Sequence, residues 1–231
     1  MRINKFIANS GYCSRRNADL LLEQGKVFVN GKLATKGIDI SENDEVLVEG
    51  KKIKLEEAKK YYLLNKPIGY SSTAKAQFQE RIVLDLIDSK ERIYPVGRLD
   101  KDSFGLLLLT NDGDLAFRLT HPSHNVEKEY IVKVDKTLKE SDLKKLSSGI
   151  MLEGKITRKA RFEMLDFKSN IVKVFLKEGR NRQIRKMFKT LDYNVISLER
   201  IAFGKIKLGK LKVGNYRELS KEEIEYLRSL Y

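Results

Sequence analysis

The chain of 231 residues carries 46 lysines and arginines against 32 aspartates and glutamates, a formal net charge of +14 at pH 7, and is 41% apolar. That apolar share supports a packed core, while one cysteine, Cys13, and two histidines, His121 and His124, exclude a disulfide framework and a multi-cysteine metal site. There is no run of 18 apolar residues and no apolar leader in MRINKFIANSG, so a reducing cytoplasmic setting is expected; the charge asks for an anionic partner, nucleic acid before a membrane surface.

Residues 1–36 hold seven basic and two acidic side chains, whereas 37–49 hold five acidic and no basic ones, so the charge is local. Ile3, Phe6 and Ile7 recur at helical spacing with Gly11 as a stop, and Ser14 can cap a second helix running through NADLLLEQ to Gly25. VFVNGKLA alternates about Asn30-Gly31, a hairpin signal, and EVLVEG predicts another strand. Arg15 and Arg16 fall in the first turn of the second helix, where the dipole disfavours cations. Contact with RNA phosphates therefore competes with a solvated face as the reason for Arg2, Lys5, Arg15, Arg16 and Lys26. KKIKLEEAKK, 51–60, reads as a charged boundary, partly strand and partly linker, between a module of residues 1–58 and a larger one of 61–231.

From YYLLNKP onward the pattern is mixed α/β. YYLLN, GLLLLTN, EYIVKVD and NIVKVFL predict strands, and 79–89, 114–120, 139–148, 182–191 and 220–230 predict helices, the last with a capping box of Ser220 and Glu223. In VFLKEGRNRQIRKMFKTLDY, 174–193, Ile184, Met187, Phe188 and Leu191 make a buried helical stripe beside a basic one of Arg182, Arg185, Lys186 and Lys189. Arg185 thus sits near the rim of a core, where it can meet an inward carboxylate. YPVGRLDKDSFGLLLLTNDG, 94–113, offers Asp100, set between Arg98 and Lys101. Read from its neighbours alone, Asp100 is either half of a structural ion pair at a strand end or a nucleophile steadied by cations. Gly179 permits a tight turn or a close substrate approach.

Together these segments resemble the bacterial ribosomal pseudouridine synthases of the RsuA/RluB/RluE/RluF group. GRLDKDSFGLLLLTNDG looks like that group's nucleophile motif, with Phe104 where a small, acidic or amide residue is more usual; NKPIGYSST (65–73), KEYIV (128–132), EGRNRQIRKMF (178–188) and LERIAFG (198–204) stand in the expected order. RINKFIANSGYCSRRNADLLLEQGKVFVNGKLA resembles an S4 RNA-binding domain. The resemblance implies an α+β chain: an S4-like RNA-binding domain over 1–58, then a pseudouridine synthase catalytic domain over 61–231 with a mixed, mainly antiparallel bent sheet flanked by helices. It also implies conversion of uridine to pseudouridine in ribosomal RNA; an isomerisation that adds and removes no atom needs no cofactor, two histidines are too few for a metal site, and a monomer is expected because the RNA can bridge both modules. The KDS and NRQIRKM stretches look most like the large-subunit RluF and RluB types, which implies 23S rRNA near the peptidyl-transferase region.

By the same resemblance Asp100 matches the catalytic aspartate, Tyr130 the active-site tyrosine and Arg185 the arginine paired with the aspartate. Arg98 and Leu176 match a loop arginine and an apolar position beneath the target base; Arg182 and Lys186 are expected at flanking phosphates, and Lys66 at the entrance. The isomerisation breaks N1–C1′, turns the base and joins C5 to C1′. A carboxylate can attack C1′, attack C6 or take the C2′ proton, and on every route it must be ionised, which a closely held arginine favours. Tyr130 either assists loss of the C5 proton or stacks on the base. The target uridine must first leave its helix or loop, at a cost of a few kcal/mol. The rivals are a non-enzymatic rRNA-binding assembly factor, which has no need of Asp100, Tyr130 and Arg185 together, and a nuclease or base-removing glycosylase.

Overall fold

The computed structural model describes every residue except Glu42, Glu57, Phe167, Ser169 and Tyr231, and the side chain of Pro122; Glu42 belongs to the acidic turn and Glu57 to the charged boundary. The chain forms two compact units, Met1–Lys60 with Ser89–Ile93 and Asn111–Gly113, and Tyr61–Asp88 with Tyr94–Thr110 and Asp114–Tyr231. No helix among the described residues is long and apolar enough to cross a membrane.

The first unit runs α1 (Ile3–Asn9), α2 (Arg15–Glu23), β1 (Val27–Val29), β2 (Lys32–Leu33), β3 (Val46–Val48) and β4 (Lys51–Ile53), with an antiparallel sheet in the order β2-β1-β3-β4. The helical stripe Ile3, Phe6 and Ile7 packs with Ala18 and Leu22 of α2 against Val27, Val46 and Val48. Ser14 caps α2, its hydroxyl accepting the Asn17 N–H at 3.2 Å. Asn30 and Gly31 take φ 49° and 77°, the paired left-handed turn that matches strand twist. Glu49-Gly50 repeats it with φ 50° and 76°, which folds KKI back onto β3 as β4.

The second unit contains β5 (Tyr61–Lys66), β6 (Tyr94–Pro95), β7 (Phe104–Thr110), α3 (Gly113–Thr120), β8 (Lys128–Val134), α4 (Glu140–Ser148), β9 (Met151–Leu152), β10 (Lys155–Ile156), β11 (Arg161–Asp166), β12 (Ile171–Leu176), α5 (Gln183–Lys189), β13 (Val195–Phe203), β14 (Ile206–Lys207), β15 (Tyr216–Glu218) and α6 (Lys221–Arg228). Its bent sheet has the order β11-β12-β8-β13-β7-β5-β15, with β14 on β13 and β6 on β7. Every pairing in it is antiparallel except β13 with β7. The four leucines Leu106–Leu109 are buried on both faces of β7, which explains their unbroken run. α6 starts on the expected capping box: the Ser220 hydroxyl accepts the Glu223 N–H at 3.2 Å and Glu223 accepts the Ser220 N–H at 2.9 Å.

The helix expected over 79–89 is only a 3-10 turn, Val83–Leu86. Ser71 donates its N–H to the Arg81 carbonyl at 3.0 Å and bridges to Ile82, so the chain arrives extended. Asp85 then takes the Ile82 N–H at 2.9 Å and closes a single turn. The longest strand, β13, was not expected, because Ser197, Glu199 and Arg200 interrupt its apolar pattern.

The parallel pair β7–β13 sets Gly105 against Arg200 so closely that a β-carbon on Gly105, at φ 103°, would lie 2.4 Å from the Arg200 carbonyl oxygen and 2.8 Å from its nitrogen. Gly105→Ala should therefore cost more than the ~1–3 kcal/mol of left-handed strain alone, since backbone would also have to move. Chemical denaturation reads this; a loss below about 1 kcal/mol would show that the two strands can part without penalty.

Candidate active site

The turn between β6 and β7 carries Asp100 and is held from below by NKPIGYSST. The Ser72 hydroxyl donates to the Leu99 carbonyl at 2.8 Å and accepts the Leu99 N–H at 3.1 Å. Gly69 donates its N–H to the Lys101 carbonyl at 2.8 Å, and Ser103 its N–H to the Asp100 carbonyl at 3.0 Å. Lys66 is fully buried, and its Nζ donates to the carbonyls of Pro67 (3.0 Å), Asp100 (3.1 Å) and Ser103 (2.7 Å). Burial lowers the Lys66 pKa to about 8, against the pull of Asp100 and Asp102. The ammonium is thus still charged at neutral pH, with three protons for three acceptors. Lys66, expected at the entrance, does not line the cleft; its three carbonyl acceptors turn it inward.

Facing this turn is the segment from Glu178 to α5. Glu178 accepts from Gln183 Nε2 at 2.5 Å and from the Arg158 N–H at 3.0 Å, and the Arg180 N–H donates to Gln183 Oε1 at 3.0 Å, which curls the segment around one buried amide. Arg180 reaches the carbonyls of Lys155 (3.0 Å) and Ile156 (2.6 Å) in the β9–β10 hairpin. A β-carbon on Gly179 would meet open space and its φ is not left-handed, so no backbone strain or close packing within the described residues requires a glycine there.

Arg182 takes the left-handed conformation, φ 51°, just before α5. Its guanidinium grips Asp102 through two hydrogen bonds, 3.1 and 2.8 Å, and lies 3.9 Å from Asp100 Oδ2. Arg185 donates instead to the carbonyls of Val195 (2.9 Å) and Asp102 (2.9 Å), with its Nε 3.4 Å from Asp102 Oδ2. The expected Arg185–Asp100 pair is therefore corrected: one helical turn carries Arg185 toward β13 and the exit of the loop, while the left-handed residue ahead of the helix points its side chain at Asp100. Asp102, held by Arg182 first and by Arg185, keeps its carboxyl below the usual range.

These walls enclose a cleft of about 600 Å³ lined by Arg98, Asp100, Tyr130, Leu176 and Arg182 from the candidate site residues, and also by Lys128, Arg180, His121 and Arg200. Tyr130 on β8 is buried, in register with Val174 of β12 and Arg200 of β13. Lys128 was findable, because it is two residues from Tyr130 on a strand and so shares its face. Lys186, expected at a flanking phosphate, does not line the cleft; its Nζ turns to Glu153 (2.6 Å) and Asn181 (3.2 Å). His121 Nδ1 is 2.7 Å from the Ser123 hydroxyl, and among the described residues no group of three or more His, Cys, Asp or Glu could hold a metal.

In the first unit Arg2 bonds the Gly37 carbonyl and pairs with Asp39 at 3.2 Å, and Lys26 pairs with Glu49 at 2.8 Å. Lys5 is half-buried, and Arg15 and Arg16 are exposed with no ion pair among the described residues. Exposed pairs such as Lys26–Glu49 are worth roughly 0–1 kcal/mol and exchange readily for another anion.

A family model described as RNA pseudouridylate synthase matches residues 60–190, and one described as S4 domain matches residues 1–46. The chain is 40% identical to a protein of Bacillus subtilis (strain 168) named ribosomal large subunit pseudouridine synthase B, over 99% of this chain and 96% of that one. It is 40% identical to the dual-specificity RNA pseudouridine synthase RluF of Escherichia coli (strain K12), over 97% of this chain and 77% of that one. A crystal structure of a pseudouridylate synthase superposes with a TM-score of 0.73 at 33% identity, covering 98% of this chain and 99% of that one.

The clamp predicts a local effect for Lys66→Met. Amide hydrogen exchange should speed up over 99–103 as two carbonyls of the turn lose their partner, with β8 and β12 unchanged. If exchange at Ser103 stays as slow as in the unaltered protein, the turn holds itself and the buried ammonium is dispensable.

Proposed function

We propose, from the premise that the chain belongs to the RNA pseudouridylate synthase family and is a pseudouridine synthase, that it isomerises uridine in ribosomal RNA of the large subunit with Asp100 as the catalytic carboxylate. The observation that carries the residue assignment is a difference between the two carboxylates of the cleft. Glu178 spends its oxygens on Gln183, the Arg158 N–H and Arg180, the last at 3.5 Å. The Asp100 carboxylate makes no hydrogen bond among the described residues, and its ion pair with Arg182 is long, 3.9 Å. It is the uncommitted anion, anchored through its backbone and open to a substrate.

The chemistry needs such a group. Attack at C1′, attack at C6 and removal of the C2′ proton all require a free, ionised carboxylate with a cation near enough to orient it. Arg182 supplies that cation while its two hydrogen bonds to Asp102 keep it from neutralising Asp100 outright. Tyr130 and Leu176 offer an aromatic and an apolar surface for the flipped base, and Tyr130 is within the same cleft as the C5 proton that must leave. Arg98, exposed on the rim, and the cations of the first unit, Arg2, Lys5, Arg15, Arg16 and Lys26, are assigned to RNA phosphates. The large-subunit name of the Bacillus subtilis relative and the likeness of KDS and NRQIRKM to the RluF and RluB types support 23S rRNA near the peptidyl-transferase region; the single cysteine favours a cytoplasmic setting, and an RNA that can bridge both modules favours a monomer.

Transcripts of 23S and 16S rRNA carrying tritium at uridine C5 should release it with the former, and carbodiimide-dependent primer extension should place one new stop in 23S RNA. Asp100→Asn should bind the transcript with unchanged affinity and release nothing; full release by that variant would remove Asp100 from the chemistry. Arg182→Met should lower turnover by roughly 10²–10³-fold, the usual loss when one preorganised charge is deleted. Arg185→Met should act more through stability of the loop than on turnover. The opposite ranking of the two variants would restore Arg185 as the partner of Asp100.

A further inference from the structure

Two cations of the cleft, Arg200 and Lys128, have no ion pair among the described residues. Arg200, only 4% exposed, donates Nε to the Leu106 carbonyl at 2.7 Å, while its Nη2 is buried with no hydrogen-bond partner among the described residues. Lys128 is half-buried, has no ion pair among the described residues, and places its Nζ 5.5 Å from the centre of the Phe203 ring. Both line the cleft that contains Asp100. Sheet register puts them on one floor: Tyr130 stands opposite Arg200, and Lys128, two residues along the same strand, stands between Leu176 and Phe203. An unpartnered buried charge is costly, and two side by side repel each other as well. Burial, with Arg200 second, lowers the Lys128 pKa to about 8. This arrangement is unfavourable until an anion arrives.

We propose that Lys128 and Arg200 form an anion subsite on the cleft floor that takes a backbone phosphate flanking the target uridine, an assignment that rests on the reading of the cleft as an RNA isomerase site. A neutral carbonyl of the base would leave two charges uncompensated, whereas one phosphate oxygen pair accepts from an ammonium and a guanidinium together. Lys128 and Tyr130 are roughly 7 Å apart along β8, a span that one nucleotide covers from base to backbone. A nucleotide with its base against Tyr130 can thus set its phosphate between Lys128 and Arg200. The subsite then works as a positioning device: it draws in the backbone only when the base has left its stack, and so places the sugar before Asp100.

The sign of the pH dependence follows. In the free protein Lys128 is charged below about 8 and loses its proton above it; a bound phosphate holds that proton on. RNA affinity should therefore be full below pH 8 and fall as pH rises through it. The other ionisable side chains of the cleft are Arg98, Asp100, His121, Tyr130, Lys177, Glu178, Arg180 and Arg182, and Lys66 behind the loop has a pKa near 8 as well. The Lys128→Arg variant separates them, since it alters only the group in question and keeps it charged at every pH used.

The test is filter binding of full-length protein to a 23S rRNA transcript across salt and pH, with tritium release measured in parallel. Lys128→Gln should weaken binding at least tenfold at pH 7 and reduce the slope of log affinity against log salt by roughly 0.7–0.9, one phosphate contact. Lys128→Arg should restore both, which also shows that position 128 can be altered without unfolding, and should keep its affinity at pH 9 where the unaltered protein loses it. An unchanged salt slope in Lys128→Gln overturns the proposal. So does an inactive Lys128→Arg combined with unaltered-protein turnover that rises through pH 8, which would make Lys128 a proton acceptor. Because binding needs no turnover, a changed slope without tritium release from any transcript would retain the subsite and reject the isomerase reading of this cleft on rRNA.

Discussion

A buried ammonium with three carbonyls around it is the constraint on which the cleft around Asp100 depends. A carboxylate that must meet a substrate cannot also anchor the turn that carries it, because each hydrogen bond it makes is one it must break. The turn is therefore fixed through its backbone: Lys66 takes the carbonyls of Asp100 and Ser103, Ser72 takes both polar groups of Leu99, and Gly69 takes the carbonyl of Lys101. Burying the Lys66 ammonium is unfavourable, as its lowered pKa records, but each of its donors is matched. The motif NKPIGYSST is in this sense a second half of GRLD, separated from it in sequence and joined to it by main-chain bonds.

The same division of labour explains two arginines and two aspartates where one of each would pair. Arg182 alone beside Asp100 would close onto it, and a tight bidentate pair would leave the carboxylate occupied. Asp102 takes the two strong hydrogen bonds of Arg182, so that Asp100 feels its charge at 3.9 Å without being held by it. Arg185 in turn fixes Asp102 through its carbonyl and links it to Val195 at the start of β13. Position in the helix decides the roles: the residue just before α5 can turn left-handed and aim outward, whereas a residue one turn in is bound to the helix surface.

Much of this was legible in the sequence, and the failures have physical causes. Gly11, Asn30-Gly31 and the Ser220–Glu223 box were read correctly because local backbone preference decides them. The run 79–89 misled because a helical apolar spacing was overruled by a bridge to Ser71, a contact that no local pattern contains. β13 escaped because a strand that lines a cleft must carry polar residues where a plain core strand would alternate, and Arg200 is one of them. Asp100, Tyr130 and Leu176 were placed in one cleft by resemblance, but the partner of Asp100 was assigned to the wrong arginine. Helical periodicity describes Arg185, and it fails at Arg182, which is not in the helix.

The excess of positive charge is also not of one kind. On the first unit Arg2, Arg15, Arg16 and Lys26 are exposed, and the pairs of Arg2 with Asp39 and of Lys26 with Glu49 are ones that water and salt already weaken. Such groups give affinity that is broad, fast and steeply salt-dependent, and they tolerate loss of any one member. Lys128 and Arg200 differ, because Lys128 is half-buried, Arg200 is buried, and neither has an ion pair among the described residues. Their charge is worth more per contact, since less water screens it, and it is accessible only to a chain that has already entered the cleft. A surface that collects RNA indiscriminately and a floor that accepts a phosphate only from an extruded nucleotide would together separate capture from commitment. The selectivity would then lie in the cost of extrusion, lowest where the RNA is already bulged or looped, and not in hydrogen bonds to base edges.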